Sequence, residues 1–132
     1  MKFIAKDDAL FEQLTTSIHI ISSSIQRFNI FNDGQNGLAV EVDFRLLYTP
    51  KHFLRLRFLA VKEYSFYWNS EYNFYNVETY KLVKKGELFY ISFDPEDEAS
   101  PKISENDQDS ILFSGFEGYY IDSVANDQST SV

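Results

Sequence analysis

Cysteine is absent, which removes disulfides and thiolate metal sites together. Histidine occurs twice, as His19 and His52, and neither stands beside a serine and an orienting acid. No GxSxG elbow, GxGxxG loop or GxxxxGK[ST] loop is present, so acyl-transfer and nucleotide-phosphate chemistry have no local signature. No window reaches the roughly 18 apolar residues of a membrane span. The opening MKFIAKDDALFEQL has no apolar run of the length a secretory signal needs. Basic residues are also scarce, twelve against twenty acids, for a net charge of −8. Such a surface repels nucleic-acid phosphates and attracts basic partners. These absences predict a cytoplasmic protein without cofactor, binding neither nucleic acid nor membrane.

Aromatic residues are abundant: 17% of the chain, with thirteen Phe and nine Tyr. Flat rings pack well on pleated surfaces, so the composition favours strands. The one helical signal comes early. Asp7 or Asp8 is placed to cap an N-terminus, and Leu10, Phe11, Leu14 and Ile18 follow on one stripe. Strand patterns begin at Ile25, and NDGQNG (32–37) reads as a hairpin connection.

In the following strand Leu38, Val40, Val42, Phe44 and Leu46 face one side, and Glu41, Asp43 and Arg45 face a side read as wet. After the turn YTPKH (48–52), Leu54, Leu56 and Phe58 alternate with Phe53, Arg55 and Arg57. Matching the apolar faces sets Arg55 and Arg57 near Asp43 and Glu41, so these arginines have a structural role open to them besides anion binding. Beyond Val61 the alternation slips, as at a bulge. A strand over Phe74–Val83, a KKGE hairpin with Gly86 at positive φ and a strand through Phe89, Ile91 and Phe93 follow. The last strand runs from Ile111 to Ile121, with Gly115 and Gly118 as bulge or close-approach positions.

Together these elements predict a mainly β (α+β) domain over residues 1–123. An N-terminal helix lies on an antiparallel, curled sheet or β-sandwich of about seven strands, with a closed barrel as an alternative. The polar residues 124–132 are expected to form a mobile tail. Their last three, Thr130, Ser131 and Val132, have the form of a C-terminal peptide ligand or of a plain polar end.

Two stretches carry candidate function. SFYWNSEYNFYNVETY (65–80) holds seven aromatic side chains in sixteen positions. Strand phase assigns Tyr64, Phe66, Trp68 and Phe74 to the core and leaves Tyr67, Tyr72 and Tyr75 outward as partner contacts. The segment 94–110 holds seven acids, of which Asp97, Glu98, Asp107 and Asp109 are candidates for a basic partner. One calcium-loop register places Asp94, Glu96, Glu98 and Glu105 at ligand positions, but Ala99 stands where that loop wants glycine. Glu63, Glu71 and Glu78 among the aromatics suit paired-acid sugar hydrolysis only if two of them converge on a cleft.

The order of an LFEQL helix, an IHIISSSI segment, the LRLRFLAVKEYSF strand and the acidic ISFDPEDE loop resembles the layout of small bacterial β-rich proteins of unknown function, some of them immunity partners of toxins. In such layouts His is followed by Asp in the IHI position; here His19 precedes Ile20, and no site residue carries over. The resemblance implies a β-rich bacterial protein with an unknown protein partner. The leading expectation is thus a non-enzymatic protein-interaction module, of which an immunity-type inhibitor of a basic partner is one form. A small-ligand binder with an aromatic-lined cavity inside a curled sheet is the alternative, and an enzyme ranks last.

Overall fold

In a computed structural model of the chain, residues 1–47 and 53–122 are described. The expected YTPKH turn, with His52, and the tail 124–132 lie outside the described residues. The fold is mainly β, with 55% of the described residues in strands and 11% in helices, and a curled antiparallel sheet forms a half-barrel. Its elements are β1 (Lys2–Lys6), α1 (Asp7–Thr16), β2 (Ser23–Asn32), β3 (Leu38–Arg45), β4 (Phe53–Ser65), β5 (Asn76–Val77), β6 (Lys81–Lys85), β7 (Leu88–Asp94) and β8 (Gln108–Ile121). The sheet order is β5-β2-β3-β4-β8-β7-β6, with β1 also on β8. A single 3₁₀ turn, Gly34–Asn36, closes the β2–β3 hairpin, and Gly86 takes φ 62° in the β6–β7 turn.

One face of this sheet is apolar and carries the helix. Val40, Val42, Phe44, Leu54, Leu56, Phe58, Ile91, Phe113 and Phe116 pack there with Leu10 and Leu14. Phe58 and Phe113 meet edge to face at 4.8 Å, and Phe89 stacks on Phe113 at 5.6 Å. These rings are all buried on that face.

The helix sits where the sheet divides. One edge of β8 is shared, with β7 pairing up to Phe113 and β1 pairing Glu117 to Tyr120. Between these partners Asp7 Oδ1 accepts the Phe116 N–H at 2.9 Å. Asp7 adopts φ 51° to do so. The expected capping role is therefore corrected: Lys6 is the cap residue, without a side-chain cap bond, while Asp7 binds the sheet and Asp8 pairs with Lys84 at 2.6 Å. A β-carbon on Gly115 would lie 2.7 Å from Asp7 Oδ1, and one on Gly118 2.8 Å from Leu10 Cδ1. Both glycines are close-approach sites for the helix.

The register matches the sequence reading, with Glu41 opposite Arg57 and Asp43 opposite Arg55. The pairing also shifts between Val61 and Glu63, where the alternation slips. The supposedly wet face is a correction, however. Asp43 is 0% exposed, and Glu41 and Arg55 are 5% exposed. Arg55 grips Asp43 with two bonds, Nε–Oδ1 at 2.7 Å and Nη2–Oδ2 at 3.0 Å. Arg27 from β2 reaches Glu41 at 2.7 Å, and Arg57 holds its other oxygen at 2.9 Å. Three guanidinium groups thus close over two carboxylates. Met1 Sδ lies 3.9 Å from Arg55 Nη1, and Arg57 stands over the Tyr119 ring at 5.4 Å. Desolvation pushes the Glu41 carboxyl up, but the bonds from Arg27 and Arg57 and the Arg55 charge outweigh it, so its pKa lies below the usual value.

Two further expectations fail locally. A strand precedes the helix, and Phe74–Val83 is not one strand but β5 and β6 separated by residues 78–80. In both places the segment is short, and its pairing partner, β2 or β8, is distant in the chain.

Candidate interaction surface

Between β4 and β5 the chain forms a lobe of rings over the open end of the concave face. Phe28 of β2 is its anchor, with Phe66 at 4.8 Å, Tyr75 at 4.9 Å and Phe74 at 6.0 Å. Tyr64 stacks on the outer side of Phe66 at 5.7 Å. Only Phe28, Phe66 and Tyr75 are partly buried against the core. Tyr64, Tyr67, Trp68, Tyr72 and Phe74 are exposed, Tyr67 by 66% and Trp68 by 46%.

The assignment of Tyr64, Trp68 and Phe74 to the core is therefore corrected. The bulge after Val61 and the end of β4 at Ser65 break the alternation that would have carried Trp68 inward. Tyr67 and Tyr72 are outward as expected and meet edge to face at 6.2 Å. Tyr75 is not. It is wedged among Phe28, Phe66 and Phe74, and burial, then the nearby Asp109 charge, raises its pKa.

The lobe is ordered by its own polar bonds. Trp68 Nε1 donates to the Asn73 carbonyl at 3.1 Å, Glu71 N–H to Asn69 Oδ1 at 2.9 Å, and Asn69 Nδ2 to the Tyr67 hydroxyl at 3.1 Å. A long bond of 3.5 Å from Tyr67 N–H to Asp109 Oδ1 ties it to β8. Beside it lies a polar cleft of about 300 Å³ lined by Asn76, Glu78, Thr79, Phe93, Asp94 and Asp109. Burial, and secondarily the Asp94 charge, raises the Asp109 pKa despite the Tyr67 bond. Among the described residues Glu78, Asp94 and Asp109 make no ion pair.

The other acidic candidates part company. Asp107 is a hub: its carboxylate accepts from Glu96 N–H at 2.9 Å, Ser104 N–H at 3.0 Å, Tyr90 OH at 2.9 Å and Lys81 Nζ at 3.2 Å. Lys81 is itself buried and also donates to the Lys102 carbonyl at 2.7 Å. Desolvation opposes ionisation of Asp107, but these donors prevail and lower its pKa. Burial and the facing Asp107 push the Tyr90 hydroxyl up to about 12. Asp107 thus folds the acidic loop, its carboxylate buried and engaged within it. Asp97 closes a turn onto Ala99 N–H at 3.0 Å, and Glu98 is exposed.

The calcium register is not assembled. Glu96 is engaged by the Ser104 hydroxyl and by Asn106 Nδ2 at 3.3 Å. No group of three acidic or histidine side chains among the described residues is placed to hold a metal ion. Glu63 and Glu78 line different clefts, and His19 is exposed after the helix.

What the sequence reading missed is Trp68 and Phe74 as surface groups, and Glu78 and Asp94 as neighbours of Asp109. The WNSEYN break was the available signal for the first, because it ends a strand before Trp68 can alternate. No helix among the described residues is long and apolar enough to cross a membrane. Comparison of the chain with protein-family models, curated proteins and solved structures finds no match to any of them.

Proposed function

We propose that the chain is a non-enzymatic, cytoplasmic protein-interaction module that captures a basic partner on the ring lobe and its acidic flank. One observation carries the reading: Tyr67, Trp68, Tyr72 and Phe74 are held outward by a loop that hydrogen-bonds to itself. Large rings in a fixed loop lose little conformational entropy on binding, which is why Trp and Tyr dominate interface hot spots. Arginine or lysine of a partner gains cation–π attraction from such rings, and Asp94, Asp109 and Glu78 supply carboxylates beside them. The net charge of −8 steers the same partner from a distance. An immunity-type inhibitor is one form of such a module, adding only that the captured partner loses its activity.

The test is binding of the chain to arrays of lysine- and arginine-rich peptides, with acidic peptides as counterpart. Saturable, salt-weakened binding to the basic set, lost in Trp68→Ala and Tyr72→Ala, is the expected result. Basic peptides that bind equally well to Trp68→Ala and to the Asp94→Asn, Asp109→Asn double variant would overturn the proposal.

A further inference from the structure

A second cavity, of about 490 Å³, opens beside β5 and shares Asn76 and Glu78 with the acidic cleft. Arg45, Ser24 and Asn76 are direct cross-strand partners, so they form one row over β3, β2 and β5 on a single face. Glu78 lines the same cavity, two residues beyond Asn76. Leu46, Leu47 and Val77 also border it, and of these Leu47 is the exposed one.

Arg45 is the one arginine that makes no ion pair among the described residues, whereas Arg27, Arg55 and Arg57 are all paired. Glu78 is likewise unpaired. Two opposite charges therefore face one cavity without closing on each other. Their strands are separated by β2, which sets the backbones about 10 Å apart at the usual strand spacing. Hydroxyls fill the interval: Ser24 Oγ accepts from Gln26 Nε2 at 2.8 Å and keeps its own proton to donate.

We infer that this cavity binds a small zwitterion, a free α-amino acid, with its carboxylate on Arg45 and its ammonium toward Glu78. A simple anion would meet Glu78 and a simple cation would meet Arg45, so only a molecule carrying both charges is favoured at both ends. The side chain of the amino acid lies against Leu47. Glu78 borders this cavity and the acidic cleft of the interaction surface alike, whereas Arg45 lines this cavity and not that cleft, so Arg45→Gln separates this site from partner binding.

The experiment is calorimetric or NMR titration of the full chain with each of the common amino acids, and with the matching deaminated acids and decarboxylated amines. At least one amino acid is expected to bind saturably at millimolar concentration or below. Removing either ligand charge, or introducing Arg45→Gln or Glu78→Gln, is expected to weaken binding about tenfold or more. Both residues are exposed, and unchanged thermal melts establish that the variants are folded. The inference is overturned if no amino acid binds, if the deaminated acid binds as well as its parent, or if the folded Arg45→Gln chain binds undiminished.

Discussion

Arg27 and Phe28 are neighbours in β2, and each founds a cluster of opposite character. Arg27 joins Glu41, Asp43, Arg55 and Arg57 on the outer face, where charges are turned against one another and removed from water. Phe28 anchors rings that spread outward until Tyr67, Trp68 and Tyr72 stand in solvent. The usual arrangement is inverted in both. The distinction is satisfaction: every carboxylate oxygen of the ionic cluster has a guanidinium partner, while the outer rings of the lobe have faces with nothing against them. The first arrangement stabilises this chain alone, and the second is suited to something else.

The largest effect should follow from breaking the ionic side. Asp43→Ala leaves Arg55 buried without its bidentate acceptor, and a loss of about 3–5 kcal/mol is expected in denaturant unfolding. If Asp43→Ala costs no more than a surface change, the cluster is not the closed network its geometry implies.

Next is the helix seat. Gly118→Ala drives a methyl into Leu10 Cδ1, which is fully buried and has little room to yield. Overpacking of this kind costs about 1–3 kcal/mol, read as a lowered thermal midpoint.

Acid should separate the buried charges from the lobe. The folded pKa values of Asp107 and Glu41 are lowered from 3.8 and 4.5. A depressed carboxyl contributes its full stability above the unfolded value and loses it as pH falls through the folded one. Stability is therefore expected to be flat with respect to these two groups above about pH 5 and to fall below pH 4. Asp107→Asn should be less stable at neutral pH and show a shallower acid decline, measured by urea midpoints across that range.

The smallest effect on stability belongs to the lobe. Trp68→Ala and Tyr72→Ala should leave the unfolding midpoint within about 0.5 kcal/mol of the parent while removing partner binding. A large stability loss in either would make the lobe a second core and erase the contrast with Arg27's side.

Strand alternation, with the strands paired across the intervening turn, was enough to foresee that Asp43 meets Arg55 and Glu41 meets Arg57, because a one-residue slip would turn every apolar side chain to the other face. It was not enough to foresee their burial. Alternation assigns a residue to a face, but whether that face is wet depends on side chains arriving from elsewhere, here Arg27 from a third strand and Met1 from the chain's start. Trp68 was misplaced for a related reason, since periodicity holds only while the strand lasts. The acidic segment looked uniform in sequence, yet Asp107 is enclosed by four donors and Asp109, two positions on, borders an open cleft. Neighbours along the chain share composition, and only the folded loop sorts them into interior and surface.

The divided edge of β8 also sets an order of events at synthesis. β1 is made well ahead of β8, its one strand partner among the described residues, which follows about a hundred residues later in the chain. β4 and β7 wait for the same strand. Until Gly118 and Tyr120 emerge, the nascent chain can close the β2–β3 and β6–β7 hairpins but cannot join them. Such non-local pairing makes folding slow and nearly all-or-none. Until that strand is made, the exposed rings and the unclosed sheet share one chain, and both leave apolar surface in water.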